Sequence, residues 1–257
     1  MSTRSLRRLE QTLSHVQPRP TSLQWSLVQG PTEPKLLEIT LGGLLSFQSL
    51  QYGDHECLVF PWTGSRWTYA DLDEETDRVA RGLLATGIQG GDRIGIMAGN
   101  CEQYISVFFA SARVGAILLV LNNTYAASEV HYALNHTGMS TAIVLYNRPK
   151  DSPKTKIDCR LLFITPQIGR HSLVEVLSTL GSQPRQRGSS MALEEIIILR
   201  GRYQDFGTYE GLIERGLVLP DHVLEDRESI LHSDDVCNLQ FTSGSTGNPK
   251  AAMLTHQ

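Results

Sequence analysis

An alternation of apolar runs with amphipathic stretches between residues 92 and 145 restricts the possible folds of this chain more than any other feature. Strands are expected at 92–98, 116–121 and 141–145, with one helix beginning after residue 100 and another spanning 129–136. Strands that alternate with helices at this spacing favour a parallel sheet with helices packed on its faces. The sequence therefore predicts an α/β fold, with parallel or mixed sheets flanked by helices.

Two patterns of polar residues predict where helices begin. Thr68, followed by Asp71, is typical of an N-cap with an acid in the first turn, and this helix is expected to end at Gly87. Asn100 and Gln103 form a capping-box pattern before the next helix. That second helix is apolar nearly all round, so we expect it to be buried on most sides.

The alternation is flanked by further predicted elements on both sides. Before it we expect a weakly marked helix at 36–50 and a hairpin formed by 55–61 and 67–69. After it we expect a polar surface connection at 148–160, strands at 161–165, 196–199 and 236–241, helices at 172–180 and 209–215, and a loop at 181–190.

Composition excludes several classes of protein. A net charge of −4 gives no basic surface for nucleic acid, so we expect no nucleic-acid partner. The longest aliphatic run, 116–121, is far shorter than the about 20 residues of a bilayer crossing, which predicts no transmembrane segment. The four cysteines are scattered without a close pair, which favours a reducing compartment over a disulfide framework.

The first residues differ in composition from the rest of the chain. The first twenty residues contain a single acid, Glu10, and four arginines, with serines and threonines between them. The arginines are Arg4, Arg7, Arg8 and Arg19. This composition is typical of a transit peptide, and a disordered basic leader is the alternative. We therefore divide the chain into a leader at 1–34 and a domain at 35–257, located in mitochondria or in the cytoplasm.

The stretch FTSGSTGNPK (241–250) carries the clearest chemical pattern. Glycines bring backbone N–H groups close to an anion, hydroxyls add donors, and Lys250 adds a positive charge. Gly244 and Gly247 are three residues apart, and Lys250 has no glycine before it, so this is not a Walker loop. The stretch predicts a phosphate-binding loop, and a surface turn that binds nothing is the alternative.

Four segments carry a resemblance to a known family. The segment LQFTSGSTGNPKAAMLTH (239–256) resembles the phosphate-binding core motif of the adenylate-forming enzymes, which include acyl-CoA synthetases, luciferases and adenylation domains of peptide synthetases. RWTYADLDEETDRVARGLLATGIQGGDRIGIMAGN (66–100), GAILLVLNNTYAASEV (115–130) and SDDVCNLQF (233–241) are similar to the amino-terminal region of the same family. Within the family, the chain looks most like medium-chain fatty acyl-CoA synthetases.

The resemblance implies a two-step ligase and the amino-terminal part of its large domain. A carboxylic acid, here a fatty acid, attacks the α-phosphate of ATP to give an acyl adenylate, and coenzyme A then displaces AMP to form a thioester. By the family pattern, the β- and γ-phosphates are surrounded by Thr242, Ser243, Gly244, Ser245, Thr246, Gly247 and Lys250. The same pattern places Thr242 near Mg²⁺.

Two departures from the family pattern change what we expect. Ala251 follows the lysine where the family usually has glycine. The sequence also stops at Gln257, before the adenine contacts, the acyl pocket and the carboxy-terminal domain of the family, so we expect a portion of a ligase with little activity alone. The alternatives are a non-catalytic nucleotide-binding or regulatory protein, and a phosphotransferase of another fold.

Residues 251–254 are expected to form a strand that leaves a sheet edge and apolar surface exposed, and a homo-oligomer is a further expectation. Cys101, at a helix start, is either a thiol with a lowered pKa or, as we prefer, a plain buried thiol.

Overall fold

The computed structural model describes residues 33, 35, 37–138, 159–182, 193–242 and 249–257, and the residues from Leu37 onward belong to one compact unit. Its elements in chain order are α1 (Leu41–Tyr52), β1 (Glu56–Phe60), β2 (Ser65–Thr68), α2 (Tyr69–Ala85), β3 (Arg93–Met97), α3 (Glu102–Arg113), β4 (Ile117–Val120), α4 (Ala127–Gly138), β5 (Cys159–Ile164), β6 (Gln167–Ile168), β7 (His171–Ser172), α5 (Val174–Gly181), β8 (Glu195–Ile198), β9 (Gly207–Thr208), α6 (Tyr209–Gly216), α7 (His222–Glu228), β10 (Val236–Thr242) and β11 (Lys250–Thr255).

A seven-stranded sheet organises this unit. The strand order is β11-β10-β4-β3-β5-β8-β9. All neighbouring strands pair in parallel except β10 and β11, which form an antiparallel pair at one edge. The predicted α/β fold with a parallel-dominated sheet is confirmed.

Helices cover both faces of the sheet because the strands are apolar on both faces. On one face Ile94, Leu118 and Phe163 are buried together with side chains of α2, α3 and α6. On the opposite face Leu119 and Leu162 are buried with side chains of α4 and α5. Adjacent residues of one strand thus serve different cores, which explains the near-continuous apolar runs in the sequence.

The connections that follow β3 and β5 indicate a crevice at the carboxyl ends of these strands. The chain leaves β3 through α3 on one face and leaves β5 through α5 on the other, although β3 and β5 are neighbours. In open α/β sheets, ligands bind where adjacent strands send their connections to opposite faces. The same edge carries the carboxyl end of β10.

A buried arginine ties four helices together. Arg113, in α3, is only 3% exposed and forms ion pairs with Asp73 and Asp77 of α2 and with Glu228 of α7. It also donates to the Ser46 hydroxyl of α1 at 2.6 Å. Removing this cation would leave three partly exposed carboxylates close together without their shared partner, which would weaken the packing of these helices.

Several predicted element boundaries are confirmed, and some are wrong. Thr68 is the predicted N-cap of α2, and together with Asp71 it forms a reciprocal capping box. Asn100 does not cap α3: the N-cap is Cys101, which makes no side-chain cap bond, because the helix begins at Glu102. The Glu102 carboxylate instead accepts a hydrogen bond from the Thr63 hydroxyl at 3.1 Å, in the β1–β2 turn.

The predicted connection at 148–160 is also wrong at its end, because Cys159 and Arg160 already belong to β5 and pair next to β3. The rest of that connection, the predicted strand at 141–145 and residues 183–190 of the predicted loop at 181–190 lie outside the described residues, as does the leader at 1–34 apart from residue 33. None of the helices described is long and apolar enough to cross a membrane.

A close contact between α2 and α6 gives a test of this packing. A Cβ atom on Gly82 would lie 2.4 Å from the Leu212 carbonyl oxygen, which is backbone and has little freedom to move. We predict that Gly82→Ala destabilises the fold by about 1–3 kcal/mol, although alanine alone would favour the helix by about 1 kcal/mol.

Gly90→Ala is the matched control, because the nearest atom to its added Cβ lies 3.8 Å away. Its free energy of unfolding should stay within about 0.5 kcal/mol of the parent chain. Thermal unfolding measures both variants, and an unchanged or raised melting temperature for Gly82→Ala would contradict the close helix contact.

Candidate phosphate-binding loop

The predicted phosphate loop connects the two antiparallel strands at the edge of the sheet. Thr242, the last residue of β10, pairs with Lys250, the first residue of β11. The Thr242 hydroxyl donates to the Lys250 carbonyl oxygen at 3.3 Å, so the two ends of the loop are held together. Ser243, Gly244, Ser245, Thr246, Gly247 and Asn248 lie outside the described residues.

The parallel pairing of β10 with β4 determines where the loop lies. Leu239 is paired with Leu119 and Gln240 with Val120, so both strands end at the same edge of the sheet. The residues that follow β4 therefore lie near the loop. Tyr125 contacts Phe241 of β10 edge-on, with ring centroids 6.4 Å apart.

The turn after β4 is fixed by local hydrogen bonds. The Asn122 side-chain oxygen accepts from the backbone N–H of Thr124 at 3.0 Å, and the Glu129 carboxylate accepts from the backbone N–H of Ala126 at 2.8 Å. Burial, and then the nearby Glu129 charge, raise the pKa of Tyr125, so its hydroxyl is neutral at physiological pH. This neighbour of the loop is a rigid, neutral aromatic surface.

The residues at the two ends of the loop are suited to bind an anion. Lys250 and Thr242 are exposed, and no carboxylate within the described part of the chain forms an ion pair with Lys250. An exposed lysine without an acidic partner keeps its charge available for phosphate oxygens.

Thr242 is also a suitable oxygen ligand for Mg²⁺. Its hydroxyl uses its proton on the Lys250 carbonyl, which leaves oxygen lone pairs for a hard cation. Among the described residues no group of three or more His, Cys, Asp or Glu side chains converges on a metal position. Phosphate oxygens and water are the usual further ligands of Mg²⁺ beside nucleotides.

The opposite end of the hairpin is anchored to the rest of the fold. Asp235, before β10, accepts the backbone N–H of His232 at 2.8 Å, and its own carbonyl accepts the N–H of His256 at 3.3 Å. The ring of His256 accepts the backbone N–H of Leu41 at 3.1 Å. These bonds hold the strand that leaves the loop against α1.

Cys101 lies at the same edge of the sheet, after β3, and is buried. Burial raises the pKa of its thiol, so the thiol stays protonated and is a poor nucleophile. The preferred interpretation of Cys101 as a plain buried thiol agrees with this environment.

A mixed sheet with a hydroxyl- and glycine-rich segment after the carboxyl end of an inner strand is compatible with a protein that binds nucleotide phosphates. The sequence profile of the AMP-binding enzyme family matches residues 45–257, and the chain belongs to this family. The predicted membership in the adenylate-forming enzymes is confirmed.

Three relatives of the chain are named acyl-CoA ligases. The chain is 68% identical to the acyl-CoA ligase sidI of Aspergillus fumigatus over 98% of its length, and 51% identical to the acyl-CoA ligase SID4 of Ajellomyces capsulatus over 97%. It is 29% identical, over 90% of its length, to the mitochondrial medium-chain acyl-CoA ligase ACSF2 of Rattus norvegicus. The chain spans 39% of the length of the first two proteins and 36% of the third.

Solved structures support the same fold. An anthranilate CoA ligase, AuaEII, in complex with anthranoyl-AMP, superposes with a TM-score of 0.62 at 18% identity, covering 86% of this chain and 35% of that one. The N-terminal domain of FACL13 from Mycobacterium tuberculosis superposes with a TM-score of 0.60 at 22% identity, covering 86% of this chain and 45% of that domain. At these identities the likeness concerns the fold.

The sequence pattern did not single out Tyr125 as a neighbour of the ends of the loop, or Asp235 and His256 as anchors at the opposite end of the hairpin. Tyr125 follows the carboxyl end of a predicted parallel strand, and that position alone places it at the ligand edge. The bond between His256 and Leu41 has no counterpart in local sequence, because it joins residues 215 positions apart.

The exposed strand β11 gives a prediction about association. Among the described strands it pairs only with β10, and its Met253 and Leu254 side chains are 42% and 47% exposed. We predict that Leu254→Lys reduces self-association and binding of a hydrophobic dye, because a lysine on an edge strand disfavours pairing between chains.

Leu217→Lys, at a 69% exposed leucine after α6, is the control and should change dye binding less. Light scattering and dye fluorescence measure both variants. Equal effects of the two substitutions would show that the β11 edge is not the adhesive surface.

Proposed function

We propose that the loop between β10 and β11 holds the pyrophosphate portion of ATP while a carboxylic acid is activated. In this proposal Lys250 supplies a positive charge, and Ser243, Ser245 and Thr246 supply hydroxyl donors. Gly244 and Gly247 allow backbone N–H groups to approach the β- and γ-phosphates. Mg²⁺, held in part by Thr242, supplies charge neutralisation on the phosphate oxygens.

The carrying observation is the pairing of Thr242 with Lys250 at the two ends of the loop. It fixes the entry and the exit of the loop on adjacent strands, so Thr242 and Lys250 are held side by side at the carboxyl end of β10. Groups held in place before reaction lose little free energy to reorganisation as charge develops on the leaving pyrophosphate.

The overall reaction follows from the family. A carboxylate oxygen attacks the α-phosphorus of ATP, the bond to the bridging oxygen of the β-phosphate breaks, and pyrophosphate leaves. The thiol of coenzyme A then displaces AMP from the acyl adenylate to give a thioester. Acyl-CoA ligases among the relatives support this proposal, with a medium-chain fatty acid as the substrate class that the resemblance implies.

The chain spans 39% of the length of sidI, so the whole reaction is part of the proposal. The relative ACSF2 of Rattus norvegicus is a mitochondrial ligase by name. We propose mitochondria or the cytoplasm as the compartment of this chain. The exposed β11 edge is the surface through which we propose that a homo-oligomer forms.

Binding of magnesium pyrophosphate tests the assigned loop directly. We predict that Lys250→Met weakens binding by about 10- to 100-fold, because a hydrogen bond to a charged group contributes about 1.5–3 kcal/mol. Calorimetry at two salt concentrations measures it, and higher salt should weaken binding by the parent chain more than by the variant.

Thr242→Val should also weaken magnesium pyrophosphate binding, because it removes the hydroxyl oxygen that we assign to Mg²⁺. Thr255→Val is the matched control: Thr255 is an exposed threonine at the far end of the same hairpin. Equal affinities for all four proteins would contradict the loop assignment.

Turnover is a separate measurement. ATP–pyrophosphate exchange that depends on an added fatty acid would show acyl-adenylate formation by this chain. Tight ATP binding without exchange would favour the non-catalytic nucleotide-binding alternative.

A further inference from the structure

His256 lies where three distant segments meet at the base of the phosphate hairpin. It follows β11 directly, and its backbone N–H is bonded to the Asp235 carbonyl. Its ring nitrogen Nδ1 accepts the N–H of Leu41, the first residue of α1, at 3.1 Å. The ring therefore joins the strand that leaves the phosphate loop to the start of the first helix.

The first turn of α1 needs acceptors from outside the helix. The first N–H groups of any α-helix have no partner within it. The Thr40 hydroxyl, at the N-cap, accepts the Gly43 N–H at 3.1 Å, and His256 accepts the Leu41 N–H. His256 thus acts as a second cap, supplied from the opposite end of the described chain.

This bond exists only for the neutral ring. An imidazole nitrogen accepts a hydrogen bond when it carries no proton, so in this state the proton resides on Nε2. The residue is only 8% exposed, and Nε2 has no hydrogen-bond partner among the described residues. Protonation at Nδ1 would abolish the bond to Leu41 and place a cation at the positive end of the helix dipole.

The charges around the ring do little to offset this cost. α1 and β10 contain no Asp, Glu, Lys, Arg or His, and Lys250 lies at the far end of β11. Arg113 and its partner Glu228, which carry opposite charges, lie against Gly42 in the first turn of α1. Burial lowers the pKa of His256, and the opposing effect of the Asp235 carboxylate is smaller. A histidine with a depressed pKa stabilises the fold above its unfolded pKa of about 6.5, and this contribution is lost as the pH falls.

We propose that His256 is a pH-sensitive positioning residue: its neutral ring fastens β11 to α1, and proton uptake releases this fastening and loosens the phosphate hairpin. The fastening itself is independent of the proposed function. Its effect on the loop rests on the proposed function, because β11 begins with Lys250.

Two amides in the first turn of α1 provide an internal test in the parent chain. The Leu41 amide is capped by a titrating group and the Gly43 amide by the Thr40 hydroxyl, which does not titrate. We expect the hydrogen-exchange protection factor of Leu41 to fall between pH 7.5 and pH 5.5 while that of Gly43 changes much less. Equal decreases in the protection factors of the Leu41 and Gly43 amides would overturn the proposal.

His256→Asn tests the same point through stability. The amide oxygen of asparagine replaces Nδ1 as an acceptor and does not titrate. Below pH 6.5 the melting temperature of the parent chain should fall relative to this variant by about 3–5 °C for each pH unit, until the folded-state pKa is reached. His222→Asn, at an exposed histidine of α7, should follow the parent chain.

Two further outcomes would contradict the fastening. The first is a constant difference in melting temperature between the parent chain and His256→Asn across this pH range. The second is an NMR titration in which the histidine resonance missing from His256→Asn titrates at or above pH 6.5.

The link to the phosphate loop is measured with magnesium pyrophosphate. Between pH 7.5 and pH 5.5 the affinity of the parent chain should fall several-fold more than that of His256→Asn, since both proteins see the same change in the ligand. An equal fall would overturn the link. Absence of binding by both proteins at pH 7.5 would count against the proposed function, while the Leu41 amide still decides the fastening.

Discussion

The parallel pairing of β10 with β4 is the contact on which the rest of the site depends. It adds the last hairpin to β4, whose residues lie more than a hundred positions earlier in the chain. Leu239 points into the same core layer as Leu119. A slip of one residue would turn Leu239 towards the other face, so the apolar pattern of β10 fixes its register. That register brings the phosphate loop to the edge where β3, β4 and β5 also end.

Much of this arrangement was predictable from local sequence. The alternation of strands and helices gave the parallel sheet, Thr68 and Asp71 gave a correct cap, and residues 251–254 were recognised as a strand. The candidate phosphate loop stays a prediction from its residue types, because phosphate binding requires small residues, donors and a cation close together in the chain. These features all depend on neighbours in sequence.

The features that were missed depend on distant partners. Asn100 carries a reasonable capping pattern, yet the N-cap of α3 is Cys101, and the Glu102 carboxylate is bonded to Thr63 in the β1–β2 turn. The Arg113 cluster and the His256–Leu41 bond join elements whose proximity follows only from the complete topology. Polar groups of this kind carry no periodic pattern, so sequence analysis finds them only after the elements have been placed.

The chain thus combines a rigid α/β scaffold with a loop whose two ends are fixed on adjacent strands. Hydrogen exchange with and without magnesium ATP tests the central claim that this hairpin is the nucleotide-binding element. The account predicts slower exchange at residues 240–252 and little change at β8 and β9, on the opposite edge of the sheet. Unchanged exchange in the hairpin at saturating nucleotide, or protection confined to another edge, would contradict it.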